Sequence, residues 1–348
     1  MRTVDRDVVE AKARGRPQPA SAREERTSLA KGNPSTLPPR ARIATVQERL
    51  LQWYAASRRD LPWRRTRDPY RILVSEVMLQ QTQVDRVVPK YEAFLRRFPT
   101  LAALAEAPLA EVIREWTPLG YNRRAVNLHR LARHVVERGG ALPTTAAALR
   151  DLPGVGAYTA AAVASFAFGE QVAVVDTNVR RVLARLVLGR EPSPDLRPTF
   201  VETLAEELLP EGRAADWNQA LMDLGATICV ARRPACVACP LVDLCAAVVG
   251  GEVQERGPAY RAGPAARRTE PFHGSRRYYR GRVVAALCAL PPGASLDLPS
   301  LGRKLKGSYR EEDLPWLDAL VSELEADGLV RLRREPHGDL ASVLVSLP

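Results

Sequence analysis

Leu152-Pro153-Gly154-Val155-Gly156, running into Ala157-Tyr158-Thr159-Ala160-Ala161-Ala162-Val163, is the stretch from which the fold of this 348-residue chain is read. Two glycines one residue apart let the backbone turn tightly and let a ligand approach it closely. The segment from Ala157 reads as a helix, so the N–H groups of the turn lie at a helix N-terminus. That position favours an anion such as a DNA phosphate. A bare Gly-x-Gly turn joins many helix pairs with no ligand. Here helical segments flank it on both sides, and the chain carries a formal net charge of +11.

Outward from this turn the pattern stays helical. Val46, Leu50, Leu51 and Tyr54 recur at helical spacing, and Asp68-Pro69 supplies an N-cap acceptor with a proline in the first turn. Helices are expected at 84–97, 101–106, 108–115, 122–137, 145–150, 157–168, 177–188, 198–208 and 215–227, with one short strand signal at 172–175. The core is therefore expected to be all-α, over 43–228. Residues 1–42 mix Arg, Glu, Pro and Ser and read as a disordered basic tail. Residues 250–277 read as a basic linker; between Arg256 and Arg282 there are eight arginines against the single acid Glu270. Such a run tracks a phosphate backbone or is simply solvated. In 278–348, helices at 279–290, 298–306 and 314–328 precede two strands near 329–334 and 341–347, joined by His337-Gly338-Asp339. This is the outline of a winged-helix-like α+β domain, a fold that binds DNA or protein.

A basic excess of this size favours a polyanionic partner, nucleic acid before membrane. No apolar run reaches the roughly 18 residues that cross a bilayer. The N-terminal segment lacks the apolar core of a secretory signal. Five cysteines do not make a disulfide framework in a chain of this length. A cytoplasmic, nucleoid-associated monomer with no membrane partner is the expectation.

Three further stretches carry chemistry. Cys229-x6-Cys236-x2-Cys239-x5-Cys245, in the loop 229–249, gathers four of the five cysteines into 17 residues. Four thiolates so placed enclose zinc or an iron–sulfur cluster, and spacing alone does not separate the two. Cys288, on a later helix, reads as core. In Ser75-Glu76-Val77-Met78-Leu79-Gln80-Gln81-Thr82-Gln83 the carboxyl of Glu76 lies among apolar neighbours. That raises its pKa and suits it to donate a proton; the bland reading is a structural glutamate. The amides and hydroxyl of Gln80, Gln81, Thr82 and Gln83 are suited to base edges, or are a polar helix end. Asp176, in Val174-Val175-Asp176-Thr177-Asn178-Val179, is a helix N-cap or a fixed negative charge facing a developing sugar cation.

Taken together, these stretches resemble the helix-hairpin-helix DNA glycosylases, and among them the adenine DNA glycosylases of MutY type. The likeness covers about residues 45–247 and rests on LPWR at 61–64, SEVMLQQTQV at 75–84, WTPLGY at 116–121, LPGVGAYTAAAV at 152–163, VDTNVRRVLAR at 175–185, NQALMDLGA at 218–226 and the cysteine quartet. The resemblance implies a two-lobed core, a [4Fe-4S] cluster rather than zinc, and duplex DNA holding a mismatched or damaged base pair as partner. It implies that adenine opposite guanine or 8-oxoguanine is flipped into a pocket. Glu76 would protonate that adenine and help activate water, and Asp176 would stabilise the cationic sugar. Tyr158 and Asn178 would support them. Gln219 would meet the adenine edge and Arg64 would line the site. Tyr121 would wedge into the stack, with Gln80, Gln81 and Thr82 near the unpaired guanine and Gly154 and Gly156 on the backbone.

Relatives that also nick the strand carry a lysine where this chain has Tyr158, and Lys90 is the only lysine between 43 and 250. Hydrolysis without strong lyase activity is therefore expected. Two features depart from the pattern: Thr177 stands where glycine is commoner, and no MutT-like C-terminal domain is evident. The competing readings are a thymine/uracil glycosylase for G:T mismatches on the same scaffold, which the purine acid Glu76 argues against, and a noncatalytic iron–sulfur DNA-binding regulator.

Overall fold

The computed structural model describes residues 39–250, 271–336 and 338–348. The tail to residue 38, the linker at 251–270 and His337 lie outside the described residues. Helix α1 (Arg40–Ser57) begins within the expected tail. It is followed by α2 (Pro69–Leu79), α3 (Val84–Arg97), α4 (Leu101–Glu106), α5 (Leu109–Trp116), α6 (Arg123–Val136), α7 (Ala146–Leu149), α8 (Ala157–Phe168), α9 (Thr177–Leu186), α10 (Pro198–Glu207), α11 (Ala214–Thr227) and α12 (Ala246–Val249).

The helices form two lobes, each with its own apolar core. In the first, α2 runs through the middle. Asp68 accepts from the backbone N–H groups of Tyr70 and Arg71, Pro69 occupies the first turn, and Ile72, Leu73, Val74, Val77 and Met78 are buried behind them. Each such side chain taken out of water contributes about 1.5–3 kcal/mol. Alanines 160–162 and 164 let α8 come close against α2. In the second lobe, Val46, Leu50 and Tyr54 of α1 meet α9, α10 and α11 around Leu183 and Trp217. A thin seam of Ala161, Ala162 and Val174 joins the lobes.

The strand expected at 172–175 does not form. The buried amide of Asn218 accepts from Val174 N (3.0 Å) and donates to Val172 O (2.9 Å), and Glu206 accepts from Ala173 N. Side chains satisfy this extended backbone, leaving no ladder to build.

The C-terminal module runs α13 (Arg276–Cys288), β1 (Ser295–Asp297), α14 (Leu298–Leu305), α15 (Leu314–Ala326), β2 (Arg331–Arg333) and β3 (Leu344–Ser346). Its first helix begins inside the segment expected as linker, and the sheet has a third strand, β1, beyond the two expected. All pairings are antiparallel in the order β1-β3-β2, with Leu296 and Leu332 both opposite Val345. Helix–strand–helix–helix–strand–strand is the winged-helix order. The module sits on the first lobe. Ile113 and Val126 are buried in its core, and Arg114 donates to the carbonyls of Cys288 and Leu290. Cys288 is half-buried at this contact, its Sγ 3.6 Å from Thr117 Oγ1.

Candidate active site

Between the lobes lies a cleft of about 1400 Å³. Glu76, Tyr158, Asp176, Asn178, Arg64 and Gln219 all line it, as do residues 80–82. The groups that the sequence scattered over more than 140 positions thus meet in one place.

Glu76 comes from the last turns of α2 and is only 6% exposed. Burial pushes its carboxyl up to about 7, and the charge of Asp176 adds to this, while the Tyr158 hydrogen bond and Arg64 oppose it. Tyr158, from the first turn of α8, donates its hydroxyl to Glu76 Oε2 at 3.0 Å. Its own pKa is raised far above the usual phenol value by burial and by the two carboxylates, so it stays neutral and remains a donor.

Asp176 caps α9, as one sequence reading has it, and also lines the cleft. Oδ1 accepts from Val179 N at 2.7 Å and Oδ2 from Asn178 Nδ2 at 3.0 Å. Asn178 in turn accepts from Arg181, which also donates to Gly225 O and Cys229 O. The carboxylate is therefore held through two side chains, Asn178 and Arg181, to the start of the cysteine loop. Thr177 is exposed on the cleft wall.

Deeper contacts were not legible from sequence. Asp223, 1% exposed, takes bidentate hydrogen bonds from Arg64 (2.6 and 2.8 Å) and a further one from Arg59 (2.6 Å). Burial alone would raise its pKa, but the hydrogen bond and charge of Arg64, with Arg59, hold it below the usual carboxylate range. Tyr54 donates to Gln219 Oε1 at 2.6 Å. This orients the Gln219 amide, leaving its NH2 for an acceptor in the cleft.

The loop after α2 brings Gln80, Gln81 and Thr82 to the cleft. Gln80 donates to Thr159 Oγ1, and Thr82 Oγ1 accepts from Arg124. Gln81 and Gln83 are the exposed amides of the run, and Gln81 takes φ +54°. Tyr121 does not line the cleft; it stands beside this loop, 44% exposed. Arg124, another group the sequence did not mark, ties the two together through Gln80 O, Thr82 Oγ1 and Gly120 O, with its guanidinium over the Tyr121 ring. The hairpin turn is exposed at Gly154 and Gly156. Gly154 has φ +77°, and a Cβ there would lie 2.7 Å from Asn127 Cβ, so glycine is required twice over. Gly156 leaves open space where a Cβ would be.

The four cysteines of the quartet sit half-buried against the second lobe. Burial pushes the Cys239 thiol up to about 11, and the charges of Cys229, Cys245 and Cys236 add to it. The sulfurs lie close enough for Cys239 to feel the other three, and four cysteines so gathered are a donor set that fits a soft metal centre.

Comparison with known proteins agrees with this geometry. Residues 74–209 match the HhH-GPD superfamily of base excision DNA repair proteins, and residues 229–245 match the iron–sulfur binding domain of endonuclease III. The quartet is thus an iron–sulfur site and the fold that of a base-excision DNA glycosylase. The chain is 45% identical over 240 residues to the adenine DNA glycosylase of Mycolicibacterium smegmatis, covering 68% of this chain and 78% of that one. It is 44% identical over 292 residues to that of Mycobacterium tuberculosis, covering 81% and 88%. An alignment of that length must run past the cysteine quartet into the C-terminal module. Among solved structures, a thermostable thymine-DNA glycosylase superposes with a TM-score of 0.56 at 35% identity, covering 60% of this chain and 98% of that one. The chain belongs to the adenine DNA glycosylases.

Proposed function

We propose that this chain removes adenine mispaired with guanine or 8-oxoguanine from duplex DNA by hydrolysis alone, acting as a monomer, and that its cysteine quartet carries a [4Fe-4S] cluster. The observation that carries the reading is the buried Glu76, bonded by the half-buried Tyr158, sharing one cleft with Asp176.

An expelled purine anion is a poor leaving group, so cleavage needs a proton delivered to the base. Tyr158 occupies Oε2 of Glu76 as a donor, which leaves Oε1 to carry the acid proton toward a ring nitrogen. As the N-glycosidic bond breaks, positive charge grows on the sugar. Asp176, unable to swing because both its oxygens are bound, stabilises that charge. Glu76, now ionised, takes a proton from the water that adds to C1′. The products are free adenine and an abasic site. Gln219, its carbonyl held by Tyr54, offers its NH2 to an acceptor on the base edge. Arg64, locked by Asp223, closes the same side of the pocket. Lys90, the sole lysine between residues 43 and 250, donates to Glu115 O, and no lysine among the described residues lines the cleft to form an imine with the sugar. The cluster, when bound, fastens the loop that Arg181 grips.

Likeness to a thymine-DNA glycosylase gives the second reading, thymine or uracil removal opposite guanine. Base release from duplexes holding A:8-oxoG, A:G, T:G or U:G separates the two. Adenine should leave from the first two, with no strand nicking before alkali is added. Thymine release with adenine left intact overturns the proposal. Iron and acid-labile sulfide at four each per chain identify the cluster; one zinc and no sulfide would reject it.

A further inference from the structure

Tyr121 is an exposed aromatic held in an unusual way. Its φ is +46°, left-handed and unfavourable for a residue with a Cβ. Two guanidinium groups flank its ring. Arg124, 5.5 Å from the ring centroid, is immobilised by five acceptors of its own lobe: Val77 O, Met78 O, Gln80 O, Thr82 Oγ1 and Gly120 O. The other, Arg277, comes from the C-terminal module. Its Nη1 donates to Tyr121 Oη at 3.2 Å, and its guanidinium lies 6.0 Å from the Tyr121 ring and 5.1 Å from the half-exposed ring of Phe272.

Two of the four arginines on α13, Arg277 and Arg282, lack a carboxylate partner among the described residues, and Arg282 is spent within its own module on Tyr278 Oη and Lys304 O. Arg276 pairs with Glu323, and Arg280 with Glu323 and Asp327, all acids at or just beyond α15. Of the five N–H donors of Arg277, the phenol hydroxyl takes one. An exposed cation with free donors, sandwiched between two exposed rings, is a surface for unpaired bases, which stack on aromatic faces and hydrogen-bond to guanidinium. The module could have docked on the lobe through Ile113, Val126 and Arg114 alone. Instead it also reaches the tip of Tyr121, next to the loop at 80–82.

We infer that Arg277 is a positioning residue of the mismatch-reading surface: it fixes Tyr121 for entry into the base stack and turns its remaining donors to the purine left opposite the extruded base. The C-terminal module is then part of the DNA-reading face rather than a separate partner-binding unit. This rests on the proposed glycosylase function only in taking mismatched duplex DNA as ligand.

The test uses the full chain with Glu76→Gln, so that binding is read without turnover. Dissociation constants are measured for one duplex with an A:G mismatch and for the same duplex fully paired, with 2-aminopurine beside the site to report unstacking. Arg277→Ala should weaken mismatch binding about tenfold, the usual worth of one good base contact, and paired binding no more than about threefold. The 2-aminopurine signal on binding should fall with it. Arg277→Lys, which keeps the charge, should not restore the signal. Arg276→Ala removes a cation one residue away, leaves Tyr121 untouched, and should leave the mismatch-to-paired ratio at its original value. Equal weakening of both duplexes by Arg277→Ala, or an unchanged 2-aminopurine signal, overturns the inference. Adenine release is measured separately with Glu76 intact: release together with a ratio that ignores Arg277 defeats this inference alone, and no release together with a ratio that depends on Arg277 defeats the proposed function alone.

Discussion

Replacing Tyr158 by phenylalanine changes one atom in the cleft and isolates what holds the acid. The lost contact is a 3.0 Å hydrogen bond into Glu76 Oε2. A hydrogen bond to a charged acceptor contributes about 1.5–3 kcal/mol, and one pKa unit is about 1.4 kcal/mol. The phenol also serves the neutral acid, so only part of that difference acts on the equilibrium, and a rise of about one unit is expected. Glu76 stands at about 7 in the intact protein, burial outweighing the Tyr158 bond. Without that bond it should titrate near 8, by the same one-unit estimate. The acid works protonated, so single-turnover base release is flat below the pKa and falls about tenfold per pH unit above it. In Tyr158→Phe the alkaline limb should therefore move up by about one unit, while the plateau drops because the carboxyl is less well held. The assay is adenine release from an A:G duplex at enzyme excess, from pH 5 to 10. An alkaline limb that stays put, or moves to lower pH, refutes the assignment of Tyr158 as donor to the ionised carboxylate.

Three other outcomes are expected. The raised pKa of Glu76 means that the folded chain holds a proton the unfolded chain releases, so stability is present below about 4.5 and is lost as pH rises through about 7. Glu76→Gln should abolish base release and yet resist urea better than the original protein at pH 8, by up to about 3 kcal/mol, with the gap closing toward pH 5; equal stability at both pH values would sink the burial argument. Asp223→Asn breaks a pair buried beneath the cleft and strands Arg59 and Arg64, which should cost about 3–5 kcal/mol in urea unfolding at pH 7. A change under about 1 kcal/mol there would mean that water already screens the pair. Gly154→Ala forces a Cβ into a left-handed turn against Asn127 and should cost about 1–2 kcal/mol. It should also weaken binding to mismatched and paired duplexes alike, as gel-shift titration would reveal.

What the sequence disclosed was local. Four cysteines in one loop, a glutamate among aliphatic neighbours and an aspartate at a helix start all announce themselves within a few residues. What it hid lies in contacts between distant segments. Tyr54 reads as one more apolar position on α1, yet its hydroxyl sets the amide of Gln219, 165 positions on. Asp223 reads as a polar residue of α11 until Arg59 and Arg64 are folded against it. That Gln80 spends one amide N–H on Thr159, 79 positions on, is likewise invisible in the local sequence. The apolar run at 172–175 has strand chemistry, and only the buried Asn218 shows why no strand partner is needed. Three residues, Ser295 to Asp297, are too few for alternation to register, so β1 escaped notice.

The seam of Ala161, Ala162 and Val174 has a consequence for how such an enzyme changes. Glu76 is anchored in one apolar core and Asp176 in the other, so the spacing between acid and counter-charge belongs to neither half. It is set by how two separately packed bodies seat on a few methyl groups and on the polar ties of Asp223 to Arg64 and of Asn218 to Ser165. A chimera built from the halves of two relatives could inherit both carboxylates, fold well, and still be inert for want of matching volume at the join. Conversely, drift far from the cleft could retune the chemistry by a slight change of seating, with every catalytic side chain left as it was.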